Sequence, residues 1–541
     1  MANMENAQFG MVGLGTMGRN FLLNVAEQGF SCVGYDLEKE KRRLLVEEGQ
    51  GFSVESAEDV ADFVAKLQTP RKIMLLVPAG KIVDAVIEDL LPHLEKGDIV
   101  IDGGNSHFSD TERREQYLNG KGIEFLGVGV SGGEEGARHG ASIMPGGSRE
   151  AYNHVAPILI AASAKVGGEP CVTYIGTGSS GHFVKMVHNG IEYGLMQILA
   201  ETYDFMRRVL KMDYGAMSET FAEWNNAELN SFLVEVTAEV LRKVDGETEK
   251  PLVEMILDKA AQKGTGKWTS QVAMDFGVPI PTIDSAVSMR QISAQKEART
   301  LIAEKFGRHE PAITNPPTNE KSMVESQPES DEAKAAREKR AAETIVSQHH
   351  KAEISEQTVG QAAHKTEITT DKERDAAVRE GVTENREEFI ELLKQTLFSS
   401  FIVTYAQGMS LLQVASVEKN YGLNLAEIAK IWRGGCIIRS ALLEDMRRAY
   451  AENPTLPNMI LDDTFADTLS QNRDEWCRIN SEFMISQVPS LCLSSALSYF
   501  DAFRSERLPA NLIQAQRDFF GAHTYQRVDK EGIFHTPDWN K

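Results

Sequence analysis

Cysteine is scarce in this chain of 541 residues: Cys32, Cys171, Cys436, Cys477 and Cys492 are odd in number, far apart and without CxxC spacing. That pattern argues against a disulfide framework and a structural zinc site, and it fits reduced thiols in a cytoplasmic protein. Cations are outnumbered, with 57 Lys and Arg against 79 Asp and Glu, for a formal net charge of −22. Such a surface favours solubility and argues against nucleic acid as a partner, while leaving room for a local cationic pocket. No apolar run reaches the ~18 residues of a membrane span. The opening MANMENAQFGMVGLG has no basic stretch ahead of an apolar one, so neither a secretory nor a transit signal is expected.

Residues 308–387 lack Leu, Phe, Tyr, Trp and Cys altogether and carry 12 basic and 17 acidic residues. A segment of that composition cannot build a core, which leaves a disordered insertion or an exposed, ion-paired helix. The rest reads as globular: 42% of the chain is hydrophobic and 25% charged, at a length that calls for two or three domains. Short apolar strands, FGMVGLG, SCVGYD, KIMLLVP, DIVIDGG and EFLGVGV, alternate with helix-like stretches at the start of the chain. Alternation of this kind predicts a parallel sheet covered by crossover helices. From about residue 181 long helical patterns take over, and FIELLKQTLFSSFIVTYAQGMSLLQVA resumes them after the charged segment.

The first strand runs into GLGTMG, residues Gly13, Leu14, Gly15, Thr16, Met17 and Gly18, and the helix RNFLLNVAEQG follows at once. That is the context of a dinucleotide loop: glycines allow a tight turn, close approach of a pyrophosphate and close helix packing, and the helix N-terminus attracts the phosphate charge. Asp36 ends the next strand, where a carboxylate accepts hydrogen bonds from the adenosine ribose and repels a 2′-phosphate, so NAD is expected over NADP. Lys39, Lys41, Arg42 and Arg43 just beyond count the other way, and Asp36 also suits the N-cap of the helix LEKEKRR.

The stretch HFVKMVHNGIEY places Lys185, His188, Asn189, Glu192 and Tyr193 on one face of a helix. A solvated face would explain them, but Phe183, Val184, Met186, Val187 and Ile191 make the other faces apolar, which suits a buried helix and hence a site. Three further polar clusters stand out, IDGGNSH with Asn105, GVSGGEEGARHGASIMPGG with Ser131, Gly132 and Gly133, and QKGTGKW with Lys263, Thr265 and Lys267. Each is a turn of the kind whose backbone N–H groups can reach an anion, or an ordinary turn. The organisation expected is an α/β, Rossmann-like dinucleotide-binding domain over 1–180, then a large all-α domain over 181–307 and 388–515. The charged insertion at 308–387 interrupts the second domain, and a tail at 516–541 follows it.

Taken together, these motifs, with WRGGCIIRS and LIQAQRDFFGAHTY further on, resemble the decarboxylating 6-phosphogluconate dehydrogenases of the pentose phosphate pathway. The resemblance runs to about residue 305 and resumes at about 388. It implies a phosphorylated sugar acid as substrate, contacted by Asn105, Ser131, Gly132, Gly133, Lys185, His188, Asn189, Glu192, Tyr193, Lys263, Arg290, Arg517 and His523. It also implies a homodimer, because Arg517 and His523 reach the neighbouring subunit's site in that family. Lys185 is then the general base and later acid, Glu192 the general acid, and no metal is needed. The dinucleotide would be held by the residues of GLGTMG with Asp36, Val77 and Asn105. Two departures bear on the cofactor: Asp36, Leu37 and Glu38 stand where NADP-using members carry Asn-Arg-Thr, and Pro78 replaces a common lysine. A related β-hydroxyacid dehydrogenase on a non-phosphorylated acid, or a catalytically silent dinucleotide sensor, are the competing readings.

Overall fold

Seven strands, most of them too apolar to face water on either side, form the first sheet in a computed structural model that describes residues 6–306 and 385–539. Residues 307–384, nearly all of the charged insertion, lie outside the described residues. The strands are β1 (Phe9–Val12), β2 (Cys32–Tyr35), β3 (Val54–Ser56), β4 (Lys72–Leu75), β5 (Ile99–Asp102), β6 (Glu124–Ser131) and β7 (Ser142–Gly147). Their order is β3-β2-β1-β4-β5-β6-β7, parallel except for the antiparallel pair β6–β7. This is the doubly wound arrangement in which ligands bind at the carboxyl ends of the strands, beside the reversal of order between β1 and β4. The α/β expectation holds, with two strands beyond those expected. β3 is short and half-buried, and β7 lies in SIMPGG, where glycine and proline had suggested a turn.

Seven helices accompany the sheet: α1 (Thr16–Glu27), α2 (Lys39–Glu48), α3 (Val60–Ala65), α4 (Lys81–Leu90), α5 (Phe108–Asn119), α6 (Gly133–His139) and α7 (Arg149–Ala162). A small hairpin, β8 (Lys165–Val166) with β9 (Glu169–Pro170), follows. The rest of the described chain is helical: α8 (Ser180–Arg208), α9 (Tyr214–Trp224), α10 (Phe232–Arg242), α11 (Leu252–Met255), α12 (Thr265–Asp275), α13 (Pro281–Ala294) and α14 (Lys296–Lys305). Beyond residue 384 come α15 (Arg386–Glu418), α16 (Leu425–Trp432), α17 (Leu442–Glu452), α18 (Asp463–Gln471), α19 (Arg473–Ile485), α20 (Leu491–Phe503) and α21 (Ala510–Gly521). Local chemistry marks several starts: the side chains of Ser148, Asp213, Ser231 and Asn424 accept the backbone N–H three residues on, at α7, α9, α10 and α16.

α8 is the axis of the helical part and is buried on almost every side through its first half. α12, α13 and α15 pack on it, and glycines set how closely: a Cβ on Gly190 would stand 2.6 Å from Thr269 of α12, and one on Gly194 2.6 Å from Thr404 of α15. Gly408 of α15 returns the fit against Ile191 at 2.4 Å. α15 is long and apolar enough to cross a membrane by length and composition, yet 78% of its most apolar window is buried within this fold. Its Ser400 and Thr404 hydroxyls donate back to carbonyls four residues earlier, which lets polar residues sit inside the core.

One carboxylate ties these helices together at depth. Glu201 of α8 accepts the backbone N–H groups of Cys492 and Leu493 at 3.0 and 2.9 Å, and so caps α20, whose own N-cap residue Ser490 makes no such bond. Burial raises its carboxyl to about 7 despite those bonds. A group whose folded pKa lies above its unfolded value costs stability progressively as pH rises from about 4.5 to 7, here by about 3 kcal/mol. Glu201→Gln removes the titration, so the stability difference between wild type and variant should shift in favour of wild type by that order as pH falls through this window. Urea unfolding at pH 4.5, 6 and 8 measures it, and a constant difference would refute the burial argument.

Candidate active site

The backbone of the glycine loop has the geometry that its spacing implied. Gly13 adopts φ +96° and leaves no room for a side chain, since a Cβ would stand 2.5 Å from the Leu76 carbonyl oxygen. Gly18 packs α1 onto the loop, where a Cβ would lie 1.9 Å from the Gly13 oxygen. Gly15 faces open space and is the N-cap of α1, whose first turn carries no acidic residue and whose leading N–H groups no cap side chain takes. This end of α1 therefore fits a pyrophosphate.

Asp36 follows β2, and its carboxylate accepts the backbone N–H of Leu14 at 2.8 Å and of Glu38 at 3.0 Å. It therefore clamps the glycine loop and is not the N-cap of α2, a place Glu38 takes without a side-chain bond. The cations beyond it are largely engaged: Lys41 pairs with Glu38 and lies 3.8 Å from Asp36, and Arg43 pairs with Glu40 and Glu47. Arg42 turns inward to the Asp36 carbonyl at 2.7 Å. Val77 lies half-buried beside Gly13, and Asn105 is exposed on the loop after β5. That loop is braced from within, because Asp102 accepts the Ser106 hydroxyl at 2.6 Å and the buried guanidinium of Arg114 at 3.2 Å. Both ions are sequestered from water, and Arg114 adds bonds to Asp84 and to the Gly80 carbonyl.

The polar face of α8 is buried, which removes the solvated-face reading. Lys185, His188, Asn189 and Tyr193 are at most 8% exposed, and Glu192 is partly open. The Lys185 ammonium nitrogen lies 2.7 Å from Asn189 Oδ1 and 3.4 Å from His188 Nδ1. His188 Nδ1 also lies 3.2 Å from Asn189 Oδ1, and Nε2 lies 3.2 Å from the Ser131 hydroxyl at the end of β6. Because an amide oxygen only accepts, Nδ1 carries the proton and Nε2 accepts from Ser131. Burial pushes the His188 imidazole well below its usual value, so it is neutral. Burial also lowers the Lys185 amine, against the pull of Glu192, and raises the Glu192 carboxyl, against Lys185 and Arg290. An amine and a carboxyl that burial drives towards their neutral forms are suited to moving protons.

Gly132 and Gly133 follow Ser131 at φ +129° and +62°, with Gly132 pressed against the Gly435 carbonyl of the segment WRGGC. Tyr193 lies under the Arg290 guanidinium, 3.5 Å from ring centre to cation, and Gly266 of α12 packs on the same ring. Arg290 also donates to the Ala261 carbonyl at 3.1 Å, which holds the exposed loop of Lys263 near this end of the face. Arg517 and His523 are not brought in. They lie on α21 and just after it, on an exposed tail, and their nearest partners are Gln514 and Phe520 of the same tail. Among the described residues no group of three or more metal-ligating side chains occurs.

Several participants escaped the sequence reading. Trp432 presents an edge to His188 at 5.5 Å, and Trp268 does the same to His107 at 4.9 Å. Both lie in the quoted stretches WRGGCIIRS and QKGTGKW, where no local signal names the partner. Asp102 and Arg114 were legible only as charges in IDGG and TERREQ.

A parallel dinucleotide-binding sheet joined by one long helix to a helical domain, with an amine and a carboxyl buried on that helix, defines the architecture of a dinucleotide-dependent dehydrogenase. Residues 8–176 match the NAD binding domain of 6-phosphogluconate dehydrogenase, and 181–335 and 331–539 match its C-terminal domain. The chain is 46% identical to the NADP(+)-dependent, decarboxylating 6-phosphogluconate dehydrogenase of Bacillus subtilis over 99% of its length and all of the relative's. It is 42% identical, over the same shares, to the decarboxylating 6-phosphogluconate dehydrogenase of Escherichia coli. A solved structure of Plasmodium falciparum 6-phosphogluconate dehydrogenase, described with NADP+ and with 6-phosphogluconate, superposes at a TM-score of 0.81 with 39% identity, covering 98% of this chain and 100% of that one. The chain belongs to the 6-phosphogluconate dehydrogenase family.

The Bacillus subtilis relative is NADP(+)-dependent and the Plasmodium falciparum structure is described with NADP+, against the NAD preference expected from Asp36. The physical reason the expectation is not decisive is visible in the loop: the carboxylate is already committed to two backbone N–H groups, and Lys41 and Arg42 stand beside it.

The glycine loop separates folding from binding. Gly15→Ala should leave the melting midpoint unchanged and weaken dinucleotide binding, whereas Gly18→Ala should cost about 1–3 kcal/mol of stability as well, by overpacking. Fluorescence titration and thermal melts on both variants check it, and equal melting losses would refute the division of roles.

Proposed function

We propose that this protein oxidises and decarboxylates 6-phospho-D-gluconate to D-ribulose 5-phosphate and CO2, with reduction of a nicotinamide dinucleotide. The observation that carries the reading is the buried pair on α8, Lys185 and Glu192, each moved by burial towards its neutral form. The dinucleotide, its pyrophosphate held by the glycine loop at the start of α1, would supply the hydride acceptor. Neutral Lys185 takes the hydroxyl proton as the alcohol carbon is oxidised, with Asn189 orienting its nitrogen. The product is a ketone β to a carboxylate, which loses CO2 readily. The ammonium of Lys185 then steadies the oxyanion that develops and returns the proton to it. Glu192, as acid, protonates carbon 1 of the resulting enediol. His188 and Ser131, bonded to each other, hold the substrate with Asn105, Gly132, Gly133 and Asn189.

The phosphate would be met by Tyr193, Lys263 and Arg290, and by Arg517 of a second copy, with His523 beside it. The exposed α21, with Leu512, Ile513, Phe519 and Phe520 all more than half exposed, supports a homodimer in which the tail is covered. The domain division, 1–180 with 181–307 and 388–515, and a cytoplasmic location belong to the same reading.

On the cofactor, the relatives' names support NADP+, with Lys41 as the cation beside Asp36 and the carboxylates of Asp36 and Glu38 opposing a 2′-phosphate. Removing Asp36 should raise the ratio of kcat/KM for NADP+ over NAD+ by about tenfold, near 1.4 kcal/mol. An unchanged ratio in Asp36→Ala would take this carboxylate out of the cofactor site. Lys185→Met should lower kcat by about 10²–10⁴-fold while dinucleotide binding persists. Measured release of CO2 from 6-phosphogluconate but not gluconate supports the whole assignment, and turnover of gluconate at comparable kcat/KM would replace it with a dehydrogenase of non-phosphorylated acids.

A further inference from the structure

One buried imidazole near the site has no part in this chemistry. His182, in the first turn of α8, is 1% exposed and lies one helical turn before Lys185. Its Nδ1 is 2.7 Å from the Thr111 hydroxyl of α5, and its Nε2 has no hydrogen-bond partner. The backbone carbonyls of Asp102 and Gly104 lie against the ring, and Gly127 of β6 presses on it from the sheet, where a Cβ would stand 3.0 Å from Nδ1. The Thr111 hydroxyl is closer to Nδ1 than to the His107 carbonyl, at 2.7 against 3.3 Å. Carbonyls, which can only accept, flank the ring, and the tautomer that can use them carries its hydrogen on Nε2 while Nδ1 accepts from Thr111. That hydrogen is a buried donor whose neighbouring acceptors are carbonyls of the loop that carries Asn105. Downstream, Phe183 meets Phe108 edge to face at 5.2 Å, so the loop is bounded by α8 at both ends.

We propose that His182 is a positioning residue that sets the loop 102–105, and Asn105 with it, in register with Lys185 on α8. The assignment rests on the reading of Asn105 and Lys185 given above. It goes further in naming the link between the dinucleotide side and the proton-transfer side.

His182→Phe keeps the ring volume and loses both nitrogens, whereas His182→Gln restores an N–H near the place of Nε2. In the full-length protein, His182→Phe should weaken NADP+ binding about tenfold by fluorescence titration and raise KM for NADP+ in proportion, with kcat less affected. His182→Gln should recover most of both. Thr111→Val, which removes the Nδ1 partner, should move KM in the same direction, and it serves if the Phe variant fails to fold. The proposal is overturned if His182→Phe melts earlier yet binds NADP+ as wild type does, if Gln is no better than Phe, or if Thr111→Val leaves KM unchanged. Dinucleotide binding needs no turnover, so a wild type that released no CO2 would sink the function reading and leave this test standing.

Discussion

The close approach of the α8 backbone to the β6–β7 edge of the sheet governs where the reactive groups of that helix stand. A Cβ on Gly181 would lie 2.2 Å from the Gly127 carbonyl and 2.3 Å from that of Met144, and one on Gly129 would lie 2.4 Å from the Cβ of Lys185. Gly146 meets Gly181 in the same way at 2.3 Å. Strand and helix thus touch backbone to backbone, with no side chain between them. One added methyl group would push α8 off the sheet, and the 3.2 Å contact of Ser131 with His188 would open.

Burial follows from that approach, and electrostatics follows from burial. A lysine seated against a glycine strand is largely shielded from water, so desolvation lowers its amine; Glu192, four residues beyond His188, is raised by the same cause. The two would restore each other's charge if they were closer or better solvated. Their coupling is instead weak enough that burial sets the direction of both shifts. His188 and Asn189 fill the space around the amine with groups that need no charge, and the Trp432 edge closes it.

The outer parts of the molecule are organised by other means. Asp518 holds the tail together, accepting from the backbones of Thr524 and Thr536 and from His535 and Trp539. Burial alone would raise its carboxyl, but those bonds hold it down at about 2. The tail therefore has a fixed shape of its own while exposing Phe519, Phe520, Val528 and Ile533.

The alternation of apolar runs and helical stretches, the glycine loop and the polar stripe of α8 were all legible in the sequence, because each rests on local periodicity or on turn chemistry between neighbours. Strand β7 was not, since SIMPGG pairs through its backbone with β6 and its Gly146 makes room for α8, which no local pattern records. Asp36 was rightly placed at the end of β2, but its two backbone partners, one of them in another loop, make it a clamp as much as a selector. The sequence by itself determined which side chains share a helix face and which loop can admit a pyrophosphate. Only the tertiary structure decided that this face is buried, that His188 meets Ser131 from 57 residues away, and that the Asp102–Arg114 pair braces the loop of Asn105. Burial and long-range contact depend on the packing of whole elements, and no window of neighbouring residues contains that information.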